Sequence, residues 1–531
     1  MTDVVARALA TLGVDLVFGV TGGFPMTTGG TRFIAAGHED AAAVMAGAYA
    51  RMSGKVGVVS MPRGSEPTGV AETGSPLIVL VNGATSEFHH EAVTKRSAAE
   101  TVAEAYATAL RDQRAVLLDM RAPLADGPPA MPLRQARVWP YGGAEALAWM
   151  LMRSGKPVFI AGRGARRARR ELEELADLVG ALLATSTAAK GLFRGNPWDL
   201  DVSGVFSTPL TARLIRGADI VVAWGCSLDP RATRHGTLLG PGVEVVQIDL
   251  DEESIGTHRR VSLGLVGDIP EAAGAVADVL RPAGSRPSPA PRGYRTRVPA
   301  GRIAAERDWR CVPYEDTSGN GRIDPRTLTI ALDDLLPKER IVAPDTGNSA
   351  RYPAMLLDVP DEGGFCFPQG SQPTGLATTI GAALARPDRL PIAALGDVGG
   401  ALTDIAELAT VIRLALPMVI VLYDDGTHDT APIAPEYGCA AVTVTAVPDR
   451  RRRDHLAERP PRPPAAHPRQ SHSRPCRRVA GGGMEVRGMN PMDGGGLRAV
   501  VLPDIDHLVK KSVTHFPSGR CSWVGAPPWP A

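Results

Sequence analysis

Asp397 and Asp424 are the residues of this chain whose type and spacing best suit chemistry. Residues 395–400 read Leu-Gly-Asp-Val-Gly-Gly and residues 418–426 read Met-Val-Ile-Val-Leu-Tyr-Asp-Asp-Gly, each an apolar run that stops at an acid. Two carboxylates and a nearby backbone carbonyl form a hard oxygen set of the kind Mg²⁺ takes before completing its shell with phosphate oxygens. A third acid, Glu39, stands in Gly-His-Glu-Asp at the head of an alanine-rich stretch, where by itself it reads as an acid stabilised by a helix N-terminus. In the middle of the chain, Gly162-Arg163-Gly164 follows an apolar run and Asp249 ends another. That pattern suits backbone amides facing a diphosphate and a carboxylate facing a ribose.

The elements that must position these residues follow from periodicity. Residues 391–395 and 418–422 read as buried strands, and 401–416 places Leu402, Ile405, Leu408, Ala409 and Ile412 at helical spacing. A strand, helix, strand unit of this length is a right-handed parallel crossover, so Asp397 and Asp424 are expected side by side at the carboxyl edge of a sheet, where open α/β sheets bind ligands. Upstream, residues 32–35 read as a strand, and the helix that starts near Glu39 ends at Gly54, a C-terminal glycine cap.

Further strands are expected at 15–20, 56–60, 77–81 and 116–120, which makes residues 1–124 a parallel α/β domain. A second α/β domain, residues 140–282, has expected strands at 156–161, 220–224 and 243–250 and a helix at 166–178. Residues 281–299 are rich in Pro, Ser and Arg and read as a linker. A third domain spans 321–447, with a strand at 340–344 before the acidic motif. From 448 to 531 the sequence turns rich in Arg, Pro, Gly and His with no sustained period, so it is expected to be a disordered tail.

Composition fits a large soluble enzyme. The 531 residues are 44% hydrophobic, enough for several cores, and 58 Lys plus Arg against 57 Asp plus Glu give no electrostatic reason to expect nucleic acid. Six scattered cysteines without Cys-x-x-Cys spacing suggest neither a disulfide framework nor a zinc site, and a reducing cytoplasm is the expected compartment. No apolar run reaches membrane-spanning length.

The segment 396–426, with Gly-Asp at its start and Asp-Asp-Gly at its end, resembles the diphosphate-binding motif of thiamine diphosphate enzymes, and residues 38–59 resemble the start of their pyrimidine-binding domain. Three domains in the order pyrimidine-binding, middle, diphosphate-binding resemble the acetolactate synthase and 2-oxo acid decarboxylase group. Residues 345–349, 381–388 and 190–197 look closest to acetolactate synthase-like members. The resemblance implies that Gly396, Asp397, Val398 and Gly399 face the diphosphate, with Asp397, Asp424 and the Gly426 carbonyl on Mg²⁺. It implies Glu39 as the catalytic carboxyl on the aminopyrimidine ring. Val398 stands where the motif usually has glycine.

The implied reaction is decarboxylation of a 2-oxo acid with carboligation to a second carbonyl; a simple decarboxylase and a non-catalytic relative that keeps the fold remain alternatives. Acetolactate synthases bind FAD in the middle domain, whereas other relatives keep that domain without a nucleotide, so FAD at Gly162, Arg163, Gly164 and Asp249 stays open. Related enzymes build each active site from the first domain of one subunit and the third of its partner, so the resemblance also implies a homodimer or homotetramer. His89 and His90 read as a plain loop pair.

Overall fold

The computed structural model of the protein describes residues 2–21, 30–62, 70, 74–81, 90–92, 98–120, 143–281, 293–319, 322–368, 374–396, 406–423, 440–444 and 497–501. Asp397, Val398, Gly399, Asp424, Gly426 and His89 lie outside these residues, as does most of the chain after 444.

Within this set the chain builds three sheets. The first runs β2-β1-β3-β4-β6-β5, all neighbours parallel, from β1 (Leu16–Gly19), β2 (Arg32–Ala35), β3 (Gly57–Ser60), β4 (Leu77–Val81), β5 (His90–Ala92) and β6 (Ala115–Asp119). Helices α1 (Thr2–Thr11) and α3 (Ala98–Asp112) share one core, while α2 (Glu39–Ser53) belongs to another. The second sheet runs β12-β11-β10-β7-β8-β9 and is also parallel: β7 (Pro157–Ala161), β8 (Leu182–Thr185), β9 (Asp199–Val202), β10 (Ile220–Trp224), β11 (Glu244–Asp249) and β12 (Leu263–Val266). In chain order that is the doubly wound 3-2-1-4-5-6 arrangement, whose ligand crevice opens between its first and fourth strands, here β7 and β10. Helices α4 (Gly143–Arg153), α5 (Arg169–Val179) and α7 (Ile269–Leu280) cover one face, and α6 (Pro209–Arg216) covers the other.

In the third sheet, β13 (Arg340–Pro344), β14 (Leu390–Gly396) and β15 (Val419–Tyr423) are parallel. Two departures from expectation occur here. Leu497–Val501 (β17) pairs antiparallel with both β15 and β16 (Ala440–Val444), so this sheet is mixed rather than parallel, and the tail supplies one of its strands. Five residues, Leu-Arg-Ala-Val-Val, are too short a run to register as a period, yet their composition is strand-forming. The expected linker also contains helix α8 (Arg297–Glu306) from residue 297 onward. Helices α9 (Pro325–Leu335), α10 (Arg351–Leu356), α11 (Gly375–Ala385) and α12 (Glu407–Arg413) complete the third domain. Cys226 and Cys366 are free and buried, whereas Cys311 is disulfide-bonded, which its isolated position in the sequence gave no reason to expect. No helix among the described residues is long and apolar enough to cross a membrane.

The first and third sheets share one hydrophobic core. Phe18, Ile34 and Val59 from the first sheet, the alanines of α2, Leu376 and Ile380 of α11, and Ala393, Leu395, Ile420 and Leu422 of the third sheet form a single buried cluster. Small residues permit this. A Cβ on Gly381 of α11 would come within 2.2 Å of the Met45 carbonyl oxygen of α2, and one on Gly57 of β3 within 2.3 Å of the Ala46 oxygen. Helix α2 is thus pinched between β3 and α11 at two consecutive carbonyls, and eleven of its fifteen residues are buried.

Candidate active site

Glu39 opens α2 at its first helical position, and the residue before it caps the helix. His38 is extended (φ −150°, ψ 167°), and its Nδ1 accepts the Ala41 N–H at 3.3 Å. An Nδ1 that accepts leaves the proton of a neutral imidazole on Nε2, and that nitrogen is buried with no partner among the described residues. Glu39 itself is half-buried. Gly54 closes the helix in the left-handed region at φ 73°, with its N–H on the Ala50 carbonyl, as the terminal glycine predicts.

The turn that delivers Glu39 is tied at both ends. Ala36 N–H donates to the Gly19 carbonyl at 2.7 Å, extending the β1 ladder, and Gly37 N–H donates to Glu407 Oε1 at 2.7 Å, a contact across 370 residues of sequence. Glu407 begins α12, the helix of the crossover between β14 and β15. The register of that crossover pairs Gly396 with Tyr423, the last described residues of two adjacent parallel strands, and Asp397 and Asp424 are the next residues in sequence. The sequence-derived strands 391–395 and 418–422 are therefore found within a residue of their limits. Of the expected helix 401–416, the described part is Glu407–Arg413.

Asp345, one residue past β13, organises the same edge. Only 3% exposed, its carboxylate accepts the Thr346 N–H at 2.8 Å and is faced by the backbone N–H groups of Gly396, Thr374 and Gly375. Burial pushes its pKa up, and those four donors pull against the burial. The result is one side chain binding the ends of β13 and β14 to the start of α11. Beside it, Ser349 Oγ is buried and sits 2.6 Å from where a Gly396 Cβ would lie; neither it nor Thr374 Oγ1, buried at the N-terminus of α11, has a hydrogen-bond partner among the described residues. Two buried hydroxyls without a partner among the described residues, one of them against Gly396, are donors of a kind that suits the phosphate oxygens of a diphosphate. Sequence reasoning had quoted 345–349 only as a likeness; the signal available was a strand ending at Asp-Thr-Gly. Among the described residues no group of three or more His, Cys, Asp or Glu could hold a metal.

The middle-domain candidates lie elsewhere, in a cleft of about 1870 Å³ at the junction of all three domains, lined by Arg51, Gly162, Arg163, Arg166, Cys226 and Asp249 among others. This cleft adjoins the C-terminal end of α2, away from Glu39. Gly162 and Gly164 do what the sequence pattern did not suggest: a Cβ on Gly162 would meet the Gly225 oxygen at 2.2 Å, and one on Gly164 the Gly225 Cα at 3.0 Å. The two turns leaving β7 and β10 mesh backbone against backbone, so packing alone requires these glycines. Ligand chemistry comes instead from position and charge. The cleft opens at the β7/β10 switch point, Asp249 ends β11 with its pKa raised by burial, and Arg163 is exposed to the cleft while Arg166 is half-buried beside it. Partial desolvation by the cleft walls, then in Arg163 the neighbouring Arg51, lowers their pKa values. Cationic side chains crowded around a switch-point cleft suit a phosphate-bearing ligand.

Comparison with known proteins agrees with this arrangement at every domain. Residues 1–101 match the thiamine pyrophosphate enzyme N-terminal TPP binding domain, 144–276 the central domain and 345–449 the C-terminal TPP binding domain. The chain belongs to the thiamine pyrophosphate enzyme family. Relatives within that family include the acetolactate synthase isozyme 2 large subunit of Escherichia coli (strain K12), 26% identical over 79% of this chain and 82% of that one. The acetolactate synthase large subunit of Parasynechococcus marenigrum is 25% identical over 79% and 75%, and the probable acetolactate synthase large subunit of Methanocaldococcus jannaschii 25% over 80% of each. The N-terminal TPP binding domain thus contains Glu39, and the C-terminal one contains Asp345, Gly396 and Glu407 together with Asp397 and Asp424.

Proposed function

We propose that the protein is a thiamine diphosphate- and Mg²⁺-dependent carboligase of acetolactate synthase type, which decarboxylates a 2-oxo acid and joins the remainder to a second carbonyl. The observation that carries this reading is the Gly37–Glu39 turn of one TPP binding domain bonded directly to the crossover helix of the other. When bound, the cofactor supplies the electron sink for decarboxylation. The chain's own residues supply the rest. Ser349 and Thr374 would donate to the diphosphate beside Gly396, with Val398 and Gly399 continuing that wall. Asp397, Asp424 and the Gly426 carbonyl would hold Mg²⁺ there. Glu39 would exchange a proton with the aminopyrimidine ring nitrogen, work that needs a carboxyl at a fixed place. A dinucleotide such as FAD is proposed for the middle-domain cleft, supported by its switch-point position and its arginines rather than by Gly162 and Gly164.

The test is exchange of the cofactor's thiazolium proton in deuterated solvent, which needs no knowledge of the substrate. The wild-type chain with thiamine diphosphate and Mg²⁺ should exchange it far faster than free cofactor does, and Glu39→Gln should slow exchange about a hundred- to ten-thousandfold with nearly unchanged cofactor affinity. Bound cofactor exchanging no faster than free cofactor in the wild type would make the protein a non-catalytic relative. With pyruvate, carbon dioxide release accompanied by a coupled product separates the carboligase from a simple decarboxylase.

A further inference from the structure

Glu407 is a carboxylate with 0% exposure in a position that cofactor chemistry does not account for. Its Oε1 accepts the Gly37 N–H at 2.7 Å and its Oε2 accepts the Thr410 hydroxyl at 2.9 Å. No Lys or Arg among the described residues forms an ion pair with it. Thr410 Oγ1 also lies 3.4 Å from the Ala35 carbonyl, but a hydroxyl has one proton, and the shorter contact to the carboxylate takes it. Arg413 then donates to the Ala35 carbonyl itself and to Thr410 Oγ1 at 3.2 Å. Residues 407, 410 and 413 recur every third position, so they line one face of α12. That face clasps the backbone of residues 35–37, the turn between β2 and α2. The fit is close, since a Cβ on Gly37 would come within 2.9 Å of Glu407 Oε1 and 3.1 Å of Ala406 Cβ.

We propose that Glu407 is a positioning residue, whose buried carboxylate fixes the Gly37–His38–Glu39 turn from the helix that follows Gly396, so that the third domain sets where the Glu39 carboxyl stands. The inference rests on the thiamine diphosphate reading above and adds to it a specific mechanical part. Two hydrogen bonds hold the carboxylate, one to each side of the domain junction. A change in the crossover between β14 and β15 is thereby passed to the first turn of α2 through Glu407, with Arg413 holding the Ala35 carbonyl beside it. Geometry rather than charge does this, because the Gly37 N–H needs only an acceptor at that point.

The experiment uses the full chain with thiamine diphosphate and Mg²⁺ and reads three quantities: thiazolium proton exchange, cofactor affinity, and amide exchange at Gly37. Glu407→Ala should bind cofactor within about threefold of wild type yet exchange the thiazolium proton about a hundredfold more slowly, the scale of a 1 Å misplacement. Its Gly37 amide should lose protection. Glu407→Gln should restore both, because the side-chain carbonyl still accepts from Gly37 while its amide group donates to Thr410. Should Glu407→Ala fail to fold, Thr410→Val, which keeps the shape and removes the hydroxyl on Oε2, should slow exchange about fivefold, the worth of one net hydrogen bond. Wild-type exchange in Glu407→Ala overturns the proposal. Equal slowing in the Ala and Gln variants overturns it as well, since charge rather than geometry would then be at work. If the wild type itself does not accelerate exchange, the thiamine diphosphate reading fails separately. Gly37 amide protection in the cofactor-free chain then still decides the clasp, and equal protection in wild type and Glu407→Ala sinks it.

Discussion

Asp345 and Asp397 invite opposite expectations. Asp345 is buried, accepts the Thr346 N–H and is faced by the backbone N–H groups of Gly396, Thr374 and Gly375, so its removal takes the acceptor from the place where the ends of β13 and β14 meet the start of α11. Each buried donor left unmade costs about 1–3 kcal/mol, and Asp345→Ala should destabilise the whole domain. Asp397 follows Gly396 in the sequence, and its proposed work is to hold Mg²⁺. Asp397→Ala should therefore abolish Mg²⁺-dependent thiamine diphosphate binding while the urea unfolding midpoint of the cofactor-free protein stays where it is. Calorimetric titration of cofactor with and without Mg²⁺ checks this. Unchanged Mg²⁺-dependent affinity would remove Asp397 from the metal site.

At the scale of elements, the seam between α2 and α11 makes the sharpest demand. Alanine is ordinarily favoured over glycine in a helix by about 1 kcal/mol. At Gly381 the new methyl would lie 2.2 Å from a backbone oxygen, which has no rotamer to escape into, and overpacking of this kind costs about 1–3 kcal/mol. The steric term wins, so Gly381→Ala should lower the urea midpoint, and a raised midpoint would show the seam to be looser than this. Such facts mark where sequence reading stops. Strands such as Arg32–Ala35, Leu77–Val81, Ile220–Trp224 and Arg340–Pro344 stand where their apolar runs predict, because a buried parallel strand writes its limits locally. The clasp of α12 on residues 35–37 is different: its partners are some 370 residues apart, and no periodicity encodes such a pairing. The Gly162-Arg163-Gly164 signal is ambiguous in sequence for a related reason. A glycine required by a facing backbone and one required by a ligand look the same in sequence, and only the Gly225 contact tells them apart.

At the scale of the whole molecule, two connections cross at Glu39. Within the chain, α12 holds the turn that carries it, so Glu39 answers to its own third domain. The family resemblance implies that Glu39 serves the Asp397 of a partner subunit, and in such a dimer each chain would link one active site to the other. Complementation distinguishes the two connections. In a mixed dimer of Glu39→Gln and Asp397→Ala chains, a site built across the interface combines both lesions at one place and neither at the other, leaving one intact site. A site built within a chain leaves none. Equal mixing makes about half of all dimers mixed, so sites shared across the interface should recover about a quarter of wild-type thiazolium exchange from two variants that are each inactive alone. Light scattering at micromolar concentration should first report a dimer or tetramer. Recovery of no exchange from a mixture shown to contain mixed dimers would place each active site inside a single chain, with the Glu407 clasp acting directly on the site its own domain completes.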